Sequence, residues 1–599
     1  MSDELTHRGP DDAGYFVAPG IELGMRRLAV IDIAHGKQPV AVGNGSIQVV
    51  FNGEIYNYRE LRVLLEGHGD RFTTDSDTEV IARGFLRFGA DIVHRLVGMF
   101  AIAVWDARSR TLTLMRDRLG KKPIVYGRLD DGGLAFASEA RAIIGTDWPR
   151  RPDFNAINSV LAVGYAPLDA TAYEGLASVP PAHILTWSDG AVDVRRYWQP
   201  DFSSKLRIEA PAAQELALAT IDEAVRARLI SERPLGAFLS GGYDSTVVTA
   251  IMAQHSASPV KTFTVAFSDS RFDESHHAQQ VADYLGTDHH CLRVDPDPSF
   301  VADRLPEIFD QPFADSSAIP TLMLSEYARS EVVVALGGDG GDEAFGGYER
   351  YRLAPMLQKF NPLLRPFASF RAPLSAAADK AANRRASRLA RLLRTYPNLM
   401  QRYVGFMMWA DASEREQLWD QQVVRDLDMN RPERILESSW RARRATNDVD
   451  RMIATDLVSY LPGDLLVKAD ISSMAHSLEL RSPLLDHRVI ELGASLPADL
   501  KVTTRATKIV LKDIARRLVP PELIDRPKMG FGIPRAAWVR GPLRPLIRDT
   551  LSPSSIRRRG WFDSRRIENL LNEHDRGLDR DSVIWPLLMT ELWAQRWLD

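Results

Sequence analysis

Through its central third the chain alternates short apolar runs with longer amphipathic stretches. Residues 235–239 and 332–336 are bounded apolar runs, and 260–267 and 288–294 join them as predicted strands. Residues 246–253, 274–285, 299–309 and 317–328 carry the spacing of the helices between them. Strand–helix alternation of this kind predicts a doubly wound parallel sheet. A long helix over 211–229 precedes it, with Pro211 at its start, where a missing N–H costs nothing. The first part of the chain has a different grain. Short β-like runs fall at 14–17, 21–25, 27–32 and 47–51, and helical spacing covers 59–67. A second helix opens at 75–79 with Ser76 or Asp77 as its N-cap. Residues 99–106 and 111–116 read as paired strands, and 184–187 with 192–194 as a hairpin turning at Ser188-Asp189-Gly190. This pattern predicts a layered α+β unit. Residues 350–444 read as helical and rich in Arg, as at 383–391, with the arginines on solvated faces. The expected division is 1–199, a polar linker at 200–208, an α/β unit over 209–545 with a helical C-terminal part, and a helical tail over 546–599.

Composition narrows the class. A chain of 599 residues is long enough for more than one core. Its 75 basic and 79 acidic residues balance, so nothing global points to nucleic acid or an acidic membrane as a partner. No apolar run reaches the length of a bilayer span, and Met1-Ser2-Asp3-Glu4 does not begin a signal peptide. The single cysteine, Cys291, excludes a disulfide within the chain and a Cys-based metal cluster. It reads as a packed strand residue. Neighbouring residues of a strand face opposite ways, so His289 and His290, with His276 and His277 nearby, are not expected to hold a metal. A cytoplasmic enzyme is the expected class.

The candidate chemistry lies at two strand ends. Ser240-Gly241-Gly242-Tyr243-Asp244-Ser245 turns from a predicted strand into a predicted helix, leaving backbone N–H groups free to hold phosphate. The loop carries no lysine, so it is not the Gly-x-x-x-x-Gly-Lys-Ser/Thr pattern. It places a carboxylate, Asp244, in the cradle, which makes sense when a metal ion sits between acid and phosphate; an ordinary Gly-rich turn is the alternative. Gly337-Gly338-Asp339-Gly340-Gly341-Asp342-Glu343 follows another predicted strand in the same way. Ligands of doubly wound sheets bind beyond the carboxyl ends of the strands. Asp244 and Asp342 are therefore expected to share one Mg²⁺–pyrophosphate site, since Mg²⁺ prefers hard oxygen ligands.

These motifs carry a resemblance. The Ser-Gly-Gly-x-Asp-Ser loop resembles that of ATP pyrophosphatases. With 337–343, 464–470, 479–486, Lys508 and 526–534 it resembles the synthetase part of asparagine synthetases. Residues 8–11, 27–32, 52–57, 76–79, 116–123 and 136–139 resemble the N-terminal-nucleophile glutaminase domain of class II glutamine amidotransferases. The resemblance implies ATP-dependent amidation of aspartate through an adenylate, with Mg²⁺ and with glutamine or ammonia as nitrogen source. It implies Leu239, Ser240, Gly241, Gly242, Asp244, Ser245, Val265, Gly337 and Gly338 as ATP or pyrophosphate contacts. Asp339, Arg481 and Lys528 become catalytic candidates, Lys528 by stabilising the leaving pyrophosphate; a structural ion pair is the alternative for Arg481 and for Lys468. Arg27, Leu28, Ile31, Asn52, Gly53, Glu54 and Asp77 become the glutamine site, in which Arg27 and Asp77 read the charges of the free amino acid and Asn52 and Gly53 receive the oxyanion. The family's nucleophile is an N-terminal cysteine, whereas this chain begins Met1-Ser2. The expectation is a sequence cut short of an upstream start, with a relic glutaminase as the other explanation; as written the chain lacks the attacking thiol. Amidation of another carboxylate in glycan or peptide tailoring, or closure of a lactam, are the alternative activities. A first domain that only senses glutamine is a nonenzymatic one. A homodimer is compatible with this reading.

Overall fold

The computed structural model describes residues 1–269, 273–295, 297–359, 398–526 and 532–599. The first part is built on an antiparallel six-stranded sheet. Strands β1 (Asp12–Ala18) and β2 (Ile21–Arg27) form a separate hairpin. The large sheet runs β11-β10-β6-β5-β4-β3, from β3 (Val40–Val42), β4 (Ile47–Ile55), β5 (Gly98–Asp106), β6 (Thr111–Arg116), β10 (His183–Ser188) and β11 (Ala191–Arg196). Strands β7 (Val125–Arg128), β8 (Leu134–Ala137) and β9 (Leu176–Ser178) make a third, small sheet. The period of two along β4 explains the layering. Val49 and Phe51 face helices α1 (Tyr58–Gly67) and α2 (Asp77–Phe88), in one core with Val80 and Ile81. Val50 faces the other way, into a core with Leu23 of the hairpin and Leu112 and Leu114 of β6. The Ser76 hydroxyl accepts from the backbone N–H of Glu79 and caps α2.

The second part holds the parallel sheet. Its order is β14-β13-β12-β15-β16, with β12 (Leu235–Phe238), β13 (Lys261–Phe267), β14 (Asp288–Val294), β15 (Val334–Leu336) and β16 (Glu479–Arg481). Every neighbouring pair is parallel. Helix α3 (Ala210–Ala227) leads into β12, and α4 (Tyr243–Gln254), α5 (Ser275–Leu285) and α6 (Ala318–Arg329) cover the sheet. The closing helix, Asp581–Trp597, is part of the core: Trp585 and Trp593 are buried, and the Trp593 indole donates to the Asp310 carbonyl at 3.0 Å. No helix among the described residues is long and apolar enough to cross a membrane.

Three expectations are corrected. Residues 27–32 are not a strand: β2 ends at Arg27, whose guanidinium donates to the carbonyls of Ile31, Asp32 and Ile33 and wraps the chain around itself. The helix expected at 299–309 is present, its middle a π-helical stretch, Phe300–Arg304, that runs directly into an α-helical turn, Leu305–Ile308. Cys291 is exposed rather than packed, because β14 is an edge strand and alternation sends this side chain outward. The arginines beyond residue 350 are not all solvated. Arg402 and Arg415 are fully buried, and Arg415 is held by Asn158, Glu433 and the carbonyls of Ala410 and Met429. The run at 383–391 lies outside the described residues.

Candidate active site

The order of the parallel sheet fixes the site. From β12 the chain steps to β13 and β14 on one side, then crosses to β15 on the other. The crevice beyond the carboxyl ends of β12 and β15 is therefore the topological switch point. Both Gly-rich loops open there. Gly241 has φ +69°, a left-handed conformation that favours glycine, and Gly242 is the N-cap of α4. The positive end of a three-turn helix thus faces the loop. The hydroxyls of Ser240 and Ser245 lie 3.1 Å apart, and the Ser245 hydroxyl donates to the Gly242 carbonyl. The second loop touches the first because it lacks side chains at two points. A Cβ on Gly338 would lie 2.6 Å from the Ser245 backbone nitrogen, and one on Gly341 would lie 2.5 Å from Asp244 Oδ1.

That close approach brings Asp244 and Asp342 onto one cation, the ammonium of Lys508. Lys508 Nζ lies 2.7 and 2.6 Å from the two Asp244 oxygens and 2.7 Å from Asp342 Oδ1. Lys508 is the N-cap of helix α9 (Ile509–Leu518), after α7 (Gly341–Phe345) and α8 (Leu466–Met474) in the chain, and its backbone is left-handed, with φ +58°. Its side chain is buried, and the two carboxylates outweigh that burial and hold its proton tightly. Burial and the charge of Asp342 push the Glu343 carboxyl up to about 7, and the Tyr348 hydroxyl donates to it. Asp339 lies beside the Ser482 hydroxyl, which in turn receives the Lys121 amine at 2.5 Å. Burial lowers that amine to about 8, against the pull of Asp339. Lys468 pairs with Asp315 at 2.9 Å.

The other expected nucleotide contacts gather around this crevice. Gly337 donates its N–H to the Arg481 carbonyl, which joins the second loop to β16. Leu239 and Val265 are buried core residues, the one next to the Gly-rich loop and the other on β13. Lys528 lies outside the described residues. The segment leading to it is anchored at the phosphate loop: Arg526 pairs with Glu274 at 2.6 Å and donates to the Ser240 carbonyl at 3.3 Å. Tyr243 turns its hydroxyl to Asp525, and Lys512 lies over its ring. In the sequence Lys508 stands only as part of a motif, without a role. No local signal reveals its place, because its partners are distant in the chain and its left-handed backbone is not written in its residue type.

The seven residues expected to hold glutamine line one cavity of about 950 Å³, walled mostly by the first part and closed by Met474 and Glu479 of the second: Arg27, Leu28, Ile31, Asn52, Gly53, Glu54 and Asp77. Gly53 has φ +142°, and a Cβ there would collide with the backbone of Met99 and Phe100 on β5. Asn52 donates to the Ser138 hydroxyl at 3.4 Å. Asp77 accepts from the Ile55 N–H at 3.0 Å, and burial pushes its carboxyl up to about 6. Burial also lifts Glu54 well above the usual carboxylate range, Asp77 adding to the effect and Arg481 opposing it.

Arg481 does not face the phosphate loop in this geometry. It is fully buried and joins the two parts of the molecule. Its Nη2 pairs with Glu54 at 3.1 Å, Nε with Glu479 at 2.8 Å, and Nη1 donates to the carbonyls of Arg228 and Ile230. A second buried junction lies beside it. Arg8 donates to Glu139 at 2.7 Å and to Asp470 at 2.6 Å, and Lys122 reaches Asp470 at 2.9 Å. Burial alone would raise Glu139, but Arg8, His7 and Arg141 outweigh it and hold the carboxyl at about 2. Its folded pKa is thus below its ordinary value of 4.5, so its stabilisation is complete above about pH 4.5 and is lost as pH falls toward 2. Glu139→Gln is expected to lower stability by about 3 kcal/mol at pH 6, and the gap to wild type narrows at pH 3.5. Urea denaturation at the two pH values reads it; an equal gap at both would remove Glu139 as its source.

Comparison with known proteins adds an independent line. The model of a family described as asparagine synthase matches residues 217–595, and one described as a glutamine amidotransferase domain matches residues 1–198. An asparagine synthetase [glutamine-hydrolyzing] 1 of Bacillus subtilis is 31% identical over 99% of this chain and 92% of that protein. A putative asparagine synthetase [glutamine-hydrolyzing] of Mycobacterium bovis is 33% identical over 98% of this chain and 92% of its own. A third, asparagine synthetase [glutamine-hydrolyzing] 3 of Bacillus subtilis, is 28% identical over 89% of this chain and 83% of its own.

Proposed function

Because the chain belongs to the asparagine synthase family of ligases, we propose that it amidates aspartate with ATP, using ammonia drawn from glutamine or taken free. The observation that carries this reading is the convergence of two Gly-rich acidic loops at the switch point, with Asp244 and Asp342 on one cation.

The order of events follows from the site. ATP lies with its phosphates on the loop of Ser240, Gly241, Gly242 and Ser245, where the N-terminus of α4 and the two hydroxyls meet its charge. An oxygen of the aspartate side-chain carboxylate attacks the α-phosphorus. The bond to the β-phosphate oxygen breaks, and pyrophosphate leaves with its electron pair. Lys528 would meet the charge that develops on it. Ammonia then attacks the acyl carbon of the adenylate; the carbon–oxygen bond to AMP breaks, and the nitrogen loses a proton. Asp339, beside Ser482 and Lys121, lies where a carboxylate could orient the incoming amine.

Asp244 and Asp342 would hold Mg²⁺. The fit rests on the donor set: two convergent carboxylates already share a cation, and glycines at 338 and 341 leave room for the loops to close on it. Among the described residues no group of three or more His, Cys, Asp or Glu converges, so the ion would complete its shell with phosphate oxygens and water. Bound there, Mg²⁺ supplies positive charge to the departing pyrophosphate. In the first part, Arg27, Asp77, Asn52, Gly53 and Glu54 would hold glutamine in the shared cavity. The reading is tested by pyrophosphate release with aspartate plus ammonia, then with glutamine in place of ammonia. Release that does not depend on aspartate would overturn it.

A further inference from the structure

The position of Lys508 points to a role that the sequence motifs do not assign. Its ammonium sits among three carboxylate oxygens of Asp244 and Asp342, each at 2.6–2.7 Å. Those are the oxygens that a divalent cation at this place would need, and Mg²⁺ binds carboxylate oxygen at about 2.1 Å. An ammonium and a divalent ion cannot share them. Two cations bound to the same three oxygens would stand only a few ångströms apart, inside a site that water screens poorly.

The surroundings are shaped for this ammonium. The carrier residue is held in a left-handed backbone, at φ +58°, that non-glycine residues seldom adopt. A Cβ on Gly347 would strike both Asp342 and the Lys508 side chain, so glycine is what lets the lysine stem pass. Lys508 starts helix α9, and one turn on, Lys512 lies over the ring of Tyr243 in the phosphate loop. The helix therefore brings two ammonium groups to the edge of the phosphate cradle, one of them folded back onto the acids.

We propose that Lys508 is an exchangeable counter-ion: it neutralises Asp244 and Asp342 while the nucleotide is absent, and yields them to the divalent ion that arrives with pyrophosphate or ATP. No bond is made or broken in this step. One cation replaces another on the same carboxylates, and the released ammonium stays beside the phosphates as a second positive charge. The arrangement keeps the acidic pair from capturing a metal ion without nucleotide, and so ties metal binding to substrate binding. The inference rests on the reading of Asp244 and Asp342 as the metal ligands.

Mn²⁺ binding, followed by the loss of the free-ion electron paramagnetic resonance signal, tests it without reference to turnover. Wild-type protein without nucleotide should bind Mn²⁺ weakly, and inorganic pyrophosphate should tighten that binding, read as the signal lost beyond that in a protein-free mixture of Mn²⁺ and pyrophosphate. Lys508→Met should bind Mn²⁺ without pyrophosphate at least about tenfold more tightly than wild type, because a like charge has gone. Lys508→Arg, which keeps the charge, should bind as wild type does. Lys508→Gln reads the same affinity should Lys508→Met not fold. Equal affinity of wild type and the uncharged variants would overturn the exchange while leaving the metal site standing, as would an Arg variant that binds as tightly as Met. Failure of wild type to bind Mn²⁺ even with pyrophosphate would instead overturn the assignment of Asp244 and Asp342 as metal ligands.

Discussion

Asp342→Asn is expected to reduce aspartate-dependent pyrophosphate release about 10²- to 10³-fold, the usual cost of removing one fixed electrostatic element of a site that stabilises developing charge. The fold should survive the change. The carbonyl of the new side-chain amide can still accept from Lys508, and the ammonium keeps both oxygens of Asp244. What is lost is one of the two anionic groups that would position the metal against the leaving phosphates. The measurement pairs the initial rate of pyrophosphate release, with ammonia as nitrogen source, with a thermal denaturation curve. A folded variant that retains a rate within about threefold of wild type would remove Asp342 from the metal site.

The two loops that carry this prediction were legible in the sequence, because each is a local pattern: an apolar run, a Gly-rich turn, an acid and a helix. Their convergence was legible only in outline. Strand–helix alternation predicts a doubly wound sheet, but the order that makes β12 and β15 neighbours is set by packing, and no residue announces it. Lys508 was harder still. It lies 264 residues from Asp244 in the chain, and its contribution depends on a backbone conformation that a lysine does not advertise. Arg481 shows the opposite side of this limit. Its motif suggests contact with substrate, while the partner that redirects it, Glu54, is 427 residues away in the other part of the molecule. Cys291 fails for a simpler reason. Alternation along a strand states which way a side chain points, but not whether anything packs against that face.

The arrangement at Arg481 leads to the second large effect. Arg481→Met is expected to destabilise the junction between the two parts by about 3–5 kcal/mol, the range for removing one partner of a buried ion pair. The methionine fills much of the arginine's volume, so the loss is electrostatic rather than a cavity. Without the guanidinium, Glu54 and Glu479 confront each other in a dry interior, and the carbonyls of Arg228 and Ile230 lose their donor. Burial already favours the neutral form of Glu54, so it can escape by holding a proton; Glu479 loses its 2.8 Å partner outright. Adding Glu54→Gln to Arg481→Met should therefore recover part of the loss, and a double-mutant cycle on urea midpoints isolates the coupling of residues 54 and 481. Additive losses would mean that the contact carries no energy across the junction. The cycle also separates two roles for Arg481. If the residue acts by joining the two parts, the ammonia-dependent rate per folded molecule and the KM for aspartate stay near wild type while stability falls. A large rise in KM for aspartate at unchanged stability would instead return Arg481 to the substrate pocket.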